Sequence, residues 1–176
     1  MKRPARLLYS ISGCLLFLIA LFSGASGRLQ ANVPRYADRG DGTILDRETA
    51  LVWQKCSAGQ TYGPRLCSGT ALQVDWYAAR EQCRQLSLNG GNWRLPSEKE
   101  LRSIMDFARQ GLRIDQSVFA ATAPFRYWSV DTRISADGLV GTVVDFADGL
   151  VYTEQYDDKN SVRCVSTDRI DYDTGR

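Results

Sequence analysis

The 176-residue chain contains no histidine. That single absence excludes His-ligated zinc, Ser–His and Cys–His nucleophile pairs and histidine general bases together. Metal-finger spacing is missing too, since no two of the five cysteines are close enough to form one. An excess of charge is also lacking. Of 22 basic and 20 acidic residues, three basic and no acidic ones lie in residues 1–27, leaving 19 against 20, or net −1, for the remainder. The apparent basicity belongs to the start of the chain, so the global charge gives no reason to expect nucleic acid or a polyanion as partner. There is no internal repeat and no low-complexity tract, and the length suits one domain with a short appendage.

That appendage is residues 1–27. Lys2, Arg3 and Arg6 precede an apolar run from Leu7 to Phe22, and small residues follow from Ser23 to Gly27. This is the order of a secretory signal peptide, with cleavage after Gly27 or Ala31. The run is shorter than the roughly 20 residues that comfortably span a bilayer, so an uncleaved anchor is the alternative. Membrane contact is then expected only through residues 7–22. Cys14 imitates a lipoprotein cysteine but sits in the middle of the apolar run, and it is read as part of the signal. Export leaves Cys56, Cys67, Cys83 and Cys164, an even set that reads as two disulfides with three possible pairings.

Residues 28–35 read as a linker, 36–165 carry the periodic signal, and 166–176 form a polar tail. Thr43 to Leu45 and Ala50 to Trp53 are β-rich and separated by turn formers, which predicts a hairpin. Lys55 to Thr70 reads as a loop that a Cys56–Cys67 bridge would staple. Asp75 caps an expected helix with Trp76, Ala79, Cys83 and Leu86 on one side, ended by Asn89 to Asn92. Ser97 and Glu100 form a capping box for a second, whose apolar face is Leu101, Ile104, Met105, Ala108 and Leu112. Tyr127 to Val130, Leu139 to Phe146, Leu150 to Tyr152 and Val162 to Val165 read as strands. Turns are expected at Ala136 to Gly138 and Ala147 to Gly149. Strands, two helices and more strands indicate an α+β fold with an antiparallel sheet.

The strings GDGTILDRETALVWQKCSAGQTYG, CSGTA, DWYAAREQC, NWRLPSEKELRSI, YWS and VRCV resemble the bacterial family named for the C-terminal domain of the Legionella collagen-like adhesin. The similarity runs from about Tyr36 to Val165. The resemblance implies a C-type-lectin-like fold, with an early hairpin, two helices and a loop-rich sheet whose last strand returns beside the first. It also implies a bridge from the first helix to the final strand, Cys83 to Cys164, leaving Cys56 with Cys67. On the chain-entropy estimate these contribute about 4–5 and about 2.5–3 kcal/mol respectively. The Glu-Pro-Asn, Gln-Pro-Asp and Trp-Asn-Asp triplets of calcium-dependent lectins are absent, which removes the usual basis for calcium-mediated sugar binding.

Several constellations compete for the site. Arg39-Gly40-Asp41-Gly42 contains an integrin-type tripeptide, but it reads as a turn before the first strand, and it lacks the ligand spacing of an EF-hand. Arg102, Arg109 and Arg113 fall on one arc of the expected second helix, where they suit an oxyanion. Glu98 and Asp106 share that arc, so a solvated, ion-paired face is the plainer reading. Trp53 and Trp76 point inward, whereas Trp93 and Trp128 are not placed. Asp145, Asp148, Asp157 and Asp158 with Asn160 cluster late in the chain, mostly as turn formers. In the wider lectin-like fold the long loop and its neighbouring strands bear the ligand site, and the region from Ala121 to Ser161 corresponds to it. The binding residues are therefore expected among Arg126, Trp128, Asp157, Asp158 and Asn160, with no catalytic group, no metal ligand and no cofactor. The expected function is an exported, non-catalytic binding or adhesion-type module of the bacterial envelope, periplasmic, on the cell surface or secreted, with a glycan or an envelope protein as partner. A structural subunit docking a protein is the first alternative and a lectin-like-fold enzyme the second.

Overall fold

The computed structural model describes residues 33–63, 66–136 and 138–168. The expected signal segment and most of the tail lie outside them, so those boundaries are not addressed by the fold. In chain order the elements are β1 (Tyr36–Asp38), β2 (Thr43–Asp46), β3 (Val52–Gln54), β4 (Thr61–Tyr62), β5 (Cys67–Ser68), β6 (Gln73–Val74) and α1 (Trp76–Arg84). A 3-10 turn at Leu88–Gly90 leads to α2 (Glu98–Ser103), β7 (Arg126–Ser135), β8 (Gly138–Asp145), β9 (Val151–Glu154), β10 (Asn160–Ser161) and β11 (Val165–Ser166). One sheet has the order β1-β2-β3-β11, a second has β6-β10-β7-β8-β9, and β4 pairs with β5. The fold is α+β and the pairing antiparallel, except that β10 runs parallel to β7.

The hairpin forms as the sequence predicts, with Ile44 opposite Trp53. Its far end is organised by Asp46, whose buried side chain accepts from Arg35, Thr49 and the Glu48 amide. Burial alone would raise that carboxyl, but the Arg35 guanidinium and the other donors hold it below the ordinary carboxylate range. The final strand β11 lies beside β3, the second strand of this hairpin. The loop after the hairpin contains the small β4–β5 ribbon, tied by the Cys56–Cys67 disulfide. The second disulfide joins Cys83 on α1 to Cys164, so both expected pairs are present.

The helices are shorter than their apolar spacing suggests. Asp75 caps α1 through the Ala78 amide, and Ser97 with Glu100 forms the capping box of α2. Yet α1 ends at Arg84, leaving Leu86 beyond it, and α2 ends at Ser103. Past Ser103 the chain turns back on itself. Asp106 accepts from the Ala108 amide, its own amide donates to Arg113, and Met105 bridges to Ile114. Ile104, Met105 and Leu112 still reach the core, from a compact turn instead of a helix face.

The five-stranded sheet has one core on each side. Under α2, Leu101 and Ile104 pack with Ile44, Trp53, Phe119, Tyr127 and Phe146. Under α1, Trp76, Ala79 and Cys83 pack with Trp93, Trp128, Val143 and Cys164. Gly141 permits the second packing, since a Cβ there would lie 2.8 Å from Trp128 and 3.1 Å from Trp76. Between the two sheets lies Arg163, fully buried. Its guanidinium donates to the Gln54 and Lys55 carbonyls, the Ser57 hydroxyl and the Thr122 hydroxyl, and it stands 5.1 Å from the Phe119 ring centre. Oxygen dipoles and rings, with no carboxylate among the described residues, surround this cation. Burial pulls its pKa down, but guanidinium starts so high that it stays charged.

Candidate functional site

The first turn of α1 sets two aromatic rings side by side. Successive helix residues are about 100° apart, so Trp76 and Tyr77 cannot both face the core. Trp76 takes the buried position and donates its indole N–H to the Ser129 carbonyl at 2.9 Å, whereas Tyr77 is 62 % exposed. The loop after β9 supplies the third ring. Tyr156 accepts the Trp76 amide through its carbonyl, and its ring lies 4.8 Å from Trp76 and 5.4 Å from Tyr77. One turn further along α1, Arg80 lies over the Trp76 ring at 4.7 Å.

Tyr77 borders two depressions. The larger, about 430 Å³, is lined by Tyr77, Arg80, Glu81, Arg84, Arg94 and Val130, with Trp93 and Leu95. The second, about 380 Å³, is lined by Tyr77, Tyr156, Asp75, Asp157 and Gln155. Both volumes fall in the range of small-molecule sites. Within the larger cleft Arg84 pairs with Glu81, and Arg94 pairs through two nitrogens with Glu100. Burial would raise the Glu100 carboxyl, but the Arg94 bonds and the Ser97 amide hold it low, and the same pair raises Arg94. Asp75 is held low by the Ala78 amide and by the Lys159 ammonium at 2.9 Å.

Of the residues singled out from sequence, Asp157 lines the second depression and is exposed. Asp158 is close in sequence but turns to accept the Gln155 amide, which closes the loop. Trp128 is fully buried and donates to the Val74 carbonyl, so it has no exposed face to offer a ligand. Asn160 is 7 % exposed, within β10. Arg126 is half-buried, over the Tyr152 ring at 4.1 Å and paired with Glu154 and Asp145. These five residues do not form one site. The rival arginine face is not formed either, because Arg109 and Arg113 lie beyond α2. Arg109 pairs with Asp106 and Asp115, and Arg113 donates to the Asp148 carbonyl. The sequence reading missed Tyr77, Arg80 and Tyr156, although DWY at a helix start carries the signal that one of two adjacent rings must be left outside.

The family model for the Lcl C-terminal domain matches residues 42–166. The chain belongs to the Lcl C-terminal domain family. No curated protein and no solved structure matches it. The match covers both disulfides, both helices and the Tyr77 clefts, so the candidate site of this Lcl C-terminal domain lies inside the family's own boundaries. Among the described residues there is no group of three metal-ligating side chains, and no helix long and apolar enough to cross a membrane.

Proposed function

We propose that this Lcl C-terminal domain is an exported, non-catalytic binding module of adhesion type, that its ligand is a glycan, and that the ligand lies across Tyr77. The observation that carries this reading is the exposed Tyr77 ring, braced by Tyr156 and Trp76 at the border of two clefts. A rigid aromatic face receives the C–H side of a pyranose with little ordering cost, and flanking charged groups take its polar substituents. The absence of catalysis is argued from the lack of histidine and from Cys56, Cys67, Cys83 and Cys164 all being committed to disulfides. Two disulfides also suit an oxidising compartment. A distant C-type-lectin-like ancestry fits the bridge from α1 to Cys164, whereas the last strand pairs with β3 and not with the first strand as the resemblance implied.

Glycan-array binding by the wild-type chain and by Tyr77→Ala tests the reading. Specific saccharide signals that disappear in the variant, with its melting temperature kept, support it. Uniform silence, or signals indifferent to Tyr77, defeats it. A second reading, docking to an envelope protein, draws on the distal part of the β7–β8 hairpin. There the cross-strand neighbours Ile134 and Leu139 are 89 % and 54 % exposed. Replacing both with Thr would then abolish co-purification of that partner.

A further inference from the structure

The two clefts that share Tyr77 carry opposite unpaired charges. In the larger one Arg84 is answered by Glu81 and Arg94 by Glu100, while Arg80 has no carboxylate partner among the described residues, only the Trp76 ring beneath it. In the smaller one Asp75 gives one oxygen to the Ala78 amide and the other to Lys159, while Asp157 has no ion pair or side-chain hydrogen bond among the described residues. One available cation and one available anion thus flank a single exposed ring. This pattern does not suit a polyanion, because Asp157, Asp75 and Glu81 oppose it. A polycation is opposed equally by Arg80, Arg84 and Arg94.

We infer that the ligand is zwitterionic: a saccharide bearing a protonated amino group on one sugar unit and a carboxylate on its neighbour, lying across Tyr77. The inference rests on the glycan reading above. The carboxylate meets the Arg80 guanidinium, whose planar fork is already oriented by Trp76 and donates to such a group bidentately. The ammonium meets Asp157 beside the Tyr77 and Tyr156 rings, whose faces also attract a cation. Lys159, 2.9 Å from Asp75, already places one ammonium beside this depression.

The test uses four tetrasaccharides of similar size, titrated calorimetrically into the full chain at mildly acidic pH, where the amino groups are protonated. They are hyaluronan (anionic), N-deacetylated hyaluronan (zwitterionic), tetra-N-acetylchitotetraose (neutral) and chitotetraose, its deacetylated form (cationic). The zwitterion should bind at least about tenfold more tightly than each of the others, the worth of one charge-assisted hydrogen bond. Arg80→Gln should reduce the zwitterion to the affinity of the cationic sugar, and Asp157→Asn to that of the anionic one. Equal binding of the anionic or cationic tetrasaccharide overturns the inference and leaves the glycan reading standing. Absence of binding by all four also overturns it, and the Tyr77-dependent array signals then decide the glycan reading separately.

Discussion

The two helices start alike and finish differently. Each has a side-chain cap, and each covers one core of the five-stranded sheet. On α2, however, every charge but the exposed Lys99 is paired among the described residues. Glu98 contacts Arg102 and Arg133, Glu100 holds Arg94 and its own cap, and the Glu98 amide donates to Asp131. On α1 an exposed ring and a guanidinium with no carboxylate partner among the described residues face outward. The difference teaches that charge number is a poor guide to a site and charge pairing a better one. The arginine-rich surface around α2 is consumed by its own carboxylates, whereas the less charged α1 keeps groups free for a ligand.

The strongest way to break this comparison is to remove what holds α1 to the final strand. Cys83→Ala with Cys164→Ala should cost about 4–5 kcal/mol in denaturant unfolding, whereas opening Cys56–Cys67 should cost about 2.5–3. Equal losses would mean that α1 is anchored mainly by packing. Next, Arg163→Ala takes the donor from the part-buried Gln54 and buried Lys55 carbonyls and empties the space of a fully buried side chain, and a loss of about 3–5 kcal/mol is expected. Glu100→Ala should lower stability by on the order of 1 kcal/mol through the lost capping box. The smallest stability effects are expected at the site itself. Tyr77→Ala and Asp157→Asn should stay within about 0.5 kcal/mol of wild type, although both reduce binding.

Acid sharpens the same contrast. Asp46 and Glu100 have folded-state pKa values below their ordinary ones. Their stabilisation is therefore complete above the unfolded carboxylate range and is lost as pH falls through the folded values. The urea midpoint should be flat above about pH 5 and fall below about pH 4. In Asp46→Asn the acid-sensitive part should shrink.

Most of the fold was legible because its signals are local. The Asp75 cap, the Ser97–Glu100 box and the Ile44–Trp53 hairpin each need only a few neighbouring residues. The length of α2 was not, because Ile104, Met105 and Leu112 meet the core with helical spacing while the chain between them turns at Asp106 and Gly111. A spacing rule cannot distinguish those two routes to burial. The site was partly legible: Asp157 is there, but Trp128 and Asn160 are held inside by strand pairing that no local pattern reveals. Tyr77 and Arg80 escaped notice because the exposed side of a short helix ordinarily carries nothing but solvent-facing groups.

The placement of Arg163 has a consequence for how the chain comes into being. Its donors reach back 109 residues to the Gln54 carbonyl, and its neighbour Cys164 reaches back 81 to Cys83. Synthesis delivers residues in the opposite sense, N-terminus first. The β2–β3 hairpin and α1 therefore emerge with their acceptors, thiol and strand edge all waiting for a segment still to be made. Such long-range closure is intrinsically slow. The chain stays open throughout its delivery and locks only when its last strand arrives.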